Sequence, residues 1–212
     1  YYYNNNALEL LDKKFKINEI IPKEEECCEV SDLIILNSQL SYGLFYKIYE
    51  KNFANKIYNT VIDTTKCNND INYDIYCENK TYDILVCCSR LDRKDKNNLF
   101  LIDVLKNSEL TKYRKIFIGN NYNSFLNIEN SFFTGLLSHQ KTLEIMKKCK
   151  ILLFPSKFDA NSNTVRECLN RNCLPIITSN IGYSECFPSH LVCNSFNTDI
   201  WSIGLIIIEM FT

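Results

Sequence analysis

Glycine and proline are scarce, with five and four among 212 residues. A chain so poor in both, yet 46% hydrophobic and 13% aromatic, lacks the composition of a disordered polymer, and most of it is expected to fold. An excess of charge is missing too. Lys and Arg number 24 against 25 Asp and Glu, giving a net charge of −1 and a pI near 6.2. The basic signature of nucleic-acid binding is therefore absent, and nucleic acid is excluded as a partner on bulk charge. Histidine is limited to two residues, and the 11 cysteines contain no C-x-x-C pair, which argues against a zinc site. No transmembrane segment is expected, because the longest apolar run, "IWSIGLIIIEMFT", is too short and carries Glu209. No secretory signal pattern is visible either.

What is present has the pattern of a folded α/β chain. Its length allows one good core or two small ones. Several cysteines sit inside apolar runs, as in Val86-Cys87-Cys88, and read as small core residues of a chain kept in a reducing, cytoplasmic compartment. The one Asn-x-Thr sequon, at Asn79, is what chance gives in so Asn-rich a chain. The chain begins "YYYNNN" without Met and stops after an apolar helix-like run, so it is read as a piece of a longer protein.

Periodicity predicts the elements. "ALELLDKKFK" has helical spacing, and "IIPKEEECCEVSD" reads as a solvated helix face. "LIILNS" reads as a short buried strand leading through an N-cap pair, Asn37-Ser38, into the helix "SYGLFYKIYEKNF", followed by the strand "KIYNTVID". The polar stretch up to Lys80 reads as a linker, giving an amino-terminal unit over 1–65, a linker over 66–80 and a second domain over 81–212. In that domain strands "YDILVCCS", "RKIFIGN", "KILLFPS" and "LPIITS" alternate with helices "NNLFLIDVLKN", "QKTLEIMKKC", "NTVRECLNR" and "IWSIGLIIIEMF". Continuous Ile, Leu, Val and Cys in the strands predicts burial on both faces, hence a doubly wound, Rossmann-like parallel sheet covered by helices.

Ligands of such sheets sit beyond the carboxyl ends of the strands, so the residues after each strand are the candidates. Arg90 and Lys96 in "SRLDRKDKNN" can hold a diphosphate, or can solvate the loop. Gly119 lets the backbone approach a ligand, or ends a strand. After Pro155, "DANSN" reads as a loop entering a helix that starts near Thr164. Thr164 and Glu167 have capping-box spacing; alternatively Glu167 reaches sideways to hydroxyls, with Asp159 ahead of the helix and an anion at the helix amides between them. Two acids separated in this way suit a nucleotide sugar.

The succession "SRLDRKDKNN", "KIFIGNN", "FFTGLL" and "LLFPSKFDANSNTVRECLNRNCLPIITSNIGYSE" resembles the donor-binding half of a family 4 retaining glycosyltransferase of the GT-B fold. "VSDLIILNS" and "NTVID" resemble the end of the preceding acceptor domain. The resemblance implies that Arg90 and Lys96 neutralise the donor diphosphate without a metal or cofactor and that Asp159 contacts the transferred sugar. It implies that Glu167 holds the ribose, that amides around Ser162, Asn163 and Thr164 face the phosphates, and that Gly119 and Gly135 border the substrate. The implied partners are a UDP- or GDP-linked sugar and a glycan, lipid or protein acceptor, with peripheral membrane contact left open.

The pattern departs from the family at Ser89, which replaces Gly, at Asp159, which replaces the commoner Glu, and at "ANS", which replaces a Gly-rich run. Gly182 and Glu185 match part of a later Gly-Gly-x-x-Glu segment, and no Gly-rich acceptor-side loop is found. His139 and His190 fall in the donor half and read as surface residues. A catalytically silent nucleotide-sugar-binding remnant is the rival expectation. The tail "TDIWSIGLIIIEMFT" separately resembles a protein-kinase helix, but no H-R-D, D-F-G or Gly-rich ATP loop precedes it.

Overall fold

The computed structural model describes residues 17–49, 53–59, 80–182 and 184–193. The helix expected over 7–16, the linker apart from Lys80, and the apolar run after residue 193 lie outside the described residues.

Among the described residues there are two sheets, both parallel. The smaller pairs β1 (Ile34–Leu36) with β2 (Ile57–Asn59), Ile34 opposite Ile57. Helix α1 (Ile17–Val30) precedes it and α2 (Gln39–Tyr49) connects its strands. Along α1, Lys23, Glu24 and Glu26 are exposed and Cys28 is buried, as the charge run predicts. Ser38 caps α2: its hydroxyl accepts from the Ser41 amide at 3.0 Å and its carbonyl from the Tyr42 amide at 2.9 Å. The expectation that β1 is a buried strand is corrected. Ile34 and Leu36 pack against Cys28, Phe45, Tyr49 and Phe53, whereas Ile35, pointing to the opposite face by strand alternation, is 61% exposed.

The larger sheet has six strands in the order β5-β4-β3-β6-β7-β8. They are β3 (Tyr82–Arg90), β4 (Lys115–Asn120), β5 (Ser131–Phe133), β6 (Cys149–Phe154), β7 (Leu174–Thr178) and β8 (Val192–Cys193). Alternation along β3 explains its two cores. Ile84 and Val86 join one cluster with Leu101, Val104, Leu105 and Phe125, while Leu85 joins another with Met146, Val165 and Cys168. Helices α3 (Phe100–Leu105) and α4 (Ser108–Thr111) contribute to the first, and α5 (His139–Met146) and α6 (Asn163–Leu169) to the second. Both faces are covered, and the doubly wound parallel α/β fold is the one expected. The strands β5 and β8 were not foreseen; at three and two residues they are too short to show a period.

Buried cysteines act as core residues. Cys149, Cys168 and Cys173 are fully buried in the second cluster. Burial raises the Cys168 and Cys149 thiols and pushes Cys193 up to about 11, so these groups stay protonated and inert.

A chain with little glycine must turn by other means. Asn97, Asn121, Asn130 and Asn172 adopt positive φ of 55°, 59°, 52° and 53°, the left-handed region that Asn tolerates best after Gly. Gly119 serves a different need: at φ 140°, a Cβ there would stand 1.8 Å from the Cys88 carbonyl oxygen. The close approach available at Gly119 is thus to the neighbouring strand β3, where its register with β4 shifts between Cys87 and Arg90.

Candidate functional site

The order of strands reverses at β3. From β3 the chain runs outward through β4 to β5, then crosses back to place β6 on the other side of β3. Loops leaving adjacent carboxyl ends in opposite directions open a crevice, the usual ligand position of this architecture. The loop after β3 (residues 91–99) and the loop after β6 (155–162) meet there.

Those two loops are tied together. The Asp95 carbonyl accepts from the Lys157 amide at 2.9 Å and from the Ser156 hydroxyl at 3.3 Å. Ser156 is fully buried, and its carbonyl accepts from the Thr178 hydroxyl at the end of β7. Asp159 continues the pattern: its amide donates to the Asn180 carbonyl at 3.2 Å and its carbonyl accepts from Gly182 at 2.7 Å. An isolated parallel bridge between Asp159 and Ile181 results. The acid loop is thus held from both sides by backbone bonds, although "DANS" contains no regular element.

On this frame Lys96 Nζ lies 2.5 Å from Asp159 Oδ2, with both side chains largely buried at 17% and 19% exposure. The ammonium also lies 5.4 Å from the centre of the Phe154 ring. Asp159 Oδ1 accepts from the Asn161 amide at 3.2 Å, which orients the carboxylate. Two residues expected to act on the donor are therefore in direct contact.

Arg90 is placed differently. It forms a two-bond fork with Asp92, at 3.2 and 3.0 Å, and its side chain is 62% exposed. Asn121 donates to the same carboxylate at 3.1 Å. The Arg90 hydrogen bond holds the Asp92 carboxyl below its usual range, and the Asp92 hydrogen bond raises Arg90. Arg93, overlooked in the sequence, makes a second fork with Asp95, at 3.1 and 2.5 Å. Its guanidinium is raised first by the Asp95 hydrogen bond, with Asp159 among the weaker contributors, so its field reaches the acid loop. The sequence signal was there, an Arg followed two residues later by Asp, twice in "SRLDRKDKNN".

Helix α6 begins at Asn163, where the sequence places it, and its N-cap is Ser162, whose hydroxyl accepts from the Val165 amide at 3.3 Å. The capping-box reading of Thr164 and Glu167 is corrected. Ser162 is 3% exposed and its side chain is committed to the cap. The first-turn amides of Asn163 and Thr164 have no carbonyl within the helix to bond. Glu167, released from cap duty, lies 2.9 Å from Nε2 of His139 through Oε1. His139 is a surface residue as expected, 71% exposed, but its pairing with Glu167 was not foreseen. Residues 28 positions apart give no local signal of such a contact.

Gly135 has φ 67°, and its carbonyl accepts from the Gly119 amide at 2.9 Å. A Cβ on Gly135 would stand 4.0 Å from Asn120 Oδ1, so space is open beside it. Gly182 is closed: a Cβ there would lie 1.9 Å from the Ala160 carbonyl oxygen and 3.0 Å from Ser38 Cβ. The start of α2 thereby touches the loop after β7. Glu185 is exposed in a short 3-10 turn, Ser184–Cys186. Among the described residues no cluster of His, Cys, Asp and Glu could hold a metal ion, and no helix is long and apolar enough to cross a membrane.

No protein-family model matches the sequence, and no curated protein does. The fold is nevertheless shared with solved glycosyltransferases. WaaG, a glycosyltransferase involved in lipopolysaccharide biosynthesis, is 14% identical with a TM-score of 0.58 over 83% of this chain. Sucrose-phosphate synthase from Thermosynechococcus elongatus is 11% identical with a TM-score of 0.61 over 88% of this chain. A trehalose-6-phosphate synthase, described in connection with glycosyl transfer with retention, is 11% identical with a TM-score of 0.60 over 96% of this chain. The chain spans about half their length, 52%, 51% and 58% in turn.

Proposed function

We propose that this chain is the nucleotide-sugar-binding portion of a retaining, family 4-like glycosyltransferase, with the donor seated in the crevice between the carboxyl ends of β3 and β6. The observation that carries the reading is the contact of Lys96 with Asp159 at the point where the strand order reverses. Support comes from the fold shared with three glycosyltransferases.

In this reading residues 1–65 belong to the acceptor side, 66–80 link, and 81–212 form the donor domain. Lys96, with Arg90 and the neighbouring Arg93, meets the diphosphate. An incoming phosphate oxygen competes with Asp159 for the Lys96 ammonium, and each arginine keeps N–H donors beyond the two its Asp fork uses. Asp159, freed from Lys96, accepts from hydroxyls of the transferred sugar. Glu167 accepts from the ribose, the amides of Asn163 and Thr164 face phosphate, and Gly135 leaves room beside the donor. The anomeric bond to the diphosphate breaks with its electron pair leaving on the phosphate oxygen, an acceptor hydroxyl bonds the same carbon with retention, and the hydroxyl proton passes to the departing phosphate oxygen. The departing diphosphate is stabilised by fixed cations, so the reading requires no metal or cofactor. The sugar would be UDP- or GDP-linked, the acceptor a glycan, lipid or protein, and the compartment the cytoplasm.

The test is calorimetric titration with UDP- and GDP-sugars. Binding by the wild type is expected, and Lys96→Ala should weaken it by about 10- to 100-fold, the scale of a lost charge-assisted hydrogen bond. Unchanged affinity in Lys96→Ala would overturn the diphosphate assignment. A second reading, a donor-binding but silent chain, is favoured by the ion pair that occupies both Lys96 and Asp159. Donor hydrolysis or transfer by the wild type would exclude it.

A further inference from the structure

Glu167 is unusual among the site's acids in having no cationic lysine or arginine partner among the described residues. Asp92, Asp95 and Asp159 are each paired with Arg90, Arg93 and Lys96, whereas the Glu167 carboxylate meets the imidazole of His139 alone. An ionised carboxylate only accepts, so the 2.9 Å bond places a proton on Nε2 of His139 and leaves the second oxygen, Oε2, without a protein donor among the described residues. The carboxylate is 29% exposed and lies in the helix that the loop after β6 enters. Its field reaches Cys87, near the carboxyl end of β3, whose thiol is pushed up to about 12 mainly by burial and Cys88, with Glu167 adding to them. A phosphate would be repelled by such a group. Ligand hydroxyls, which bring donors, would be held.

We propose that His139 is a positioning residue for the nucleoside end of the donor, fixing the Glu167 carboxylate so that its second oxygen receives the ribose hydroxyls. The inference rests on the functional reading above and adds to it a residue from a different strand-to-helix loop. His139 is the first residue of α5, behind the N-cap Ser138, whose hydroxyl accepts from the Lys141 amide at 3.4 Å. Glu167 lies in α6, where the Arg171 guanidinium bonds its carbonyl at 3.0 Å. Two helices that open from the ends of β5 and β6 thus contribute one half each of a hydroxyl clamp. A glutamate with free rotors loses that freedom on gripping a ligand; the imidazole removes part of the loss beforehand. At 71% exposure His139 does no core packing, so its replacement leaves the fold intact.

The experiment is calorimetric titration of the whole chain with UDP and GDP, with their dideoxyribose counterparts, and with inorganic pyrophosphate. His139→Ala should weaken binding of UDP or GDP by about three- to tenfold, the size of one hydrogen bond, without weakening the dideoxy ligands or pyrophosphate. His139→Gln, which places an amide donor near the position of Nε2, should recover most of the loss, and the melting temperature should be unchanged in both variants. Equal losses on ribose and dideoxyribose ligands, no loss, or no recovery with Gln would overturn the assignment. The two levels separate cleanly. If Glu167→Gln abolishes the preference for ribose while His139→Ala keeps it, His139 alone is wrong. If wild type shows no preference for ribose, the role of Glu167 fails and the clamp falls with it.

Discussion

Lys115 shows what one residue can reveal about stability. It opens β4 at the amino end of the sheet, away from the crevice, and is fully buried. Its ammonium donates to the carbonyls of Tyr113 at 2.8 Å and Glu129 at 3.1 Å, with Thr111 at 3.4 Å. Burial lowers its pKa from 10.5 to about 8, against smaller opposing effects of Asp83 and Glu129. The sign follows from proton binding. Between pH 8 and 10.5 the unfolded chain holds this proton more firmly than the folded one, so the Lys115 contribution to stability rises with pH across that window and is flat below it. Denaturant titrations at pH 7.5 and 9.5 should show wild type gaining stability relative to Lys115→Met, by roughly 1.4 kcal/mol per pH unit at most. A difference that does not change with pH would contradict the shift.

Elements are ended here by asparagine. Asn172, at φ 53°, lies just past α6, and the Cys173 amide returns to the Cys168 carbonyl at 2.9 Å to close the helix into β7. The left-handed residue that lets the chain reverse is usually Gly. Asn172→Gly should therefore be neutral or slightly stabilising. Asn172→Val should cost about 1–2 kcal/mol, because a β-branched side chain is least tolerant of this region. Thermal melts of the two variants check the order. The same element carries the acid expected to hold ribose, and its cap illustrates why local sequence misleads: Ser162 and Thr164 both have hydroxyls suited to capping, and only the path of the loop after β6 selects the first.

At the scale of the whole molecule the contact at Gly182 joins the acid loop, the end of β7 and the first residues of α2. A methyl group there would strike the Ala160 carbonyl and press on Ser38, which is fully buried. Gly182→Ala should destabilise by about 1–3 kcal/mol, the usual cost of overpacking. Because Gly182 also donates to the Asp159 carbonyl, the substitution should weaken binding of a nucleotide sugar along with the melting temperature. A variant that melts lower but binds a nucleotide sugar as wild type does would show that the acid loop is held without this contact.

Much of the architecture was legible in the residues. Runs such as "DILVCC" and "KILLF" state their burial on both faces, because apolar side chains at consecutive positions of a strand must point to opposite sides and find cover on each. The Asn37-Ser38 cap and the loop after Pro155 were equally plain, since both rest on chemistry within a few residues. Ile35 was misread because a strand is buried on both faces only if neighbours cover both, and its sequence does not carry the neighbours. The fork of Arg93 with Asp95, the hold of Lys96 on Asp159 and the bond of His139 to Glu167 were decided by tertiary structure. Local patterns fix torsions and faces over one or two turns. Which polar groups share a crevice depends on the order in which parallel strands assemble, and that order is set by packing across the sheet.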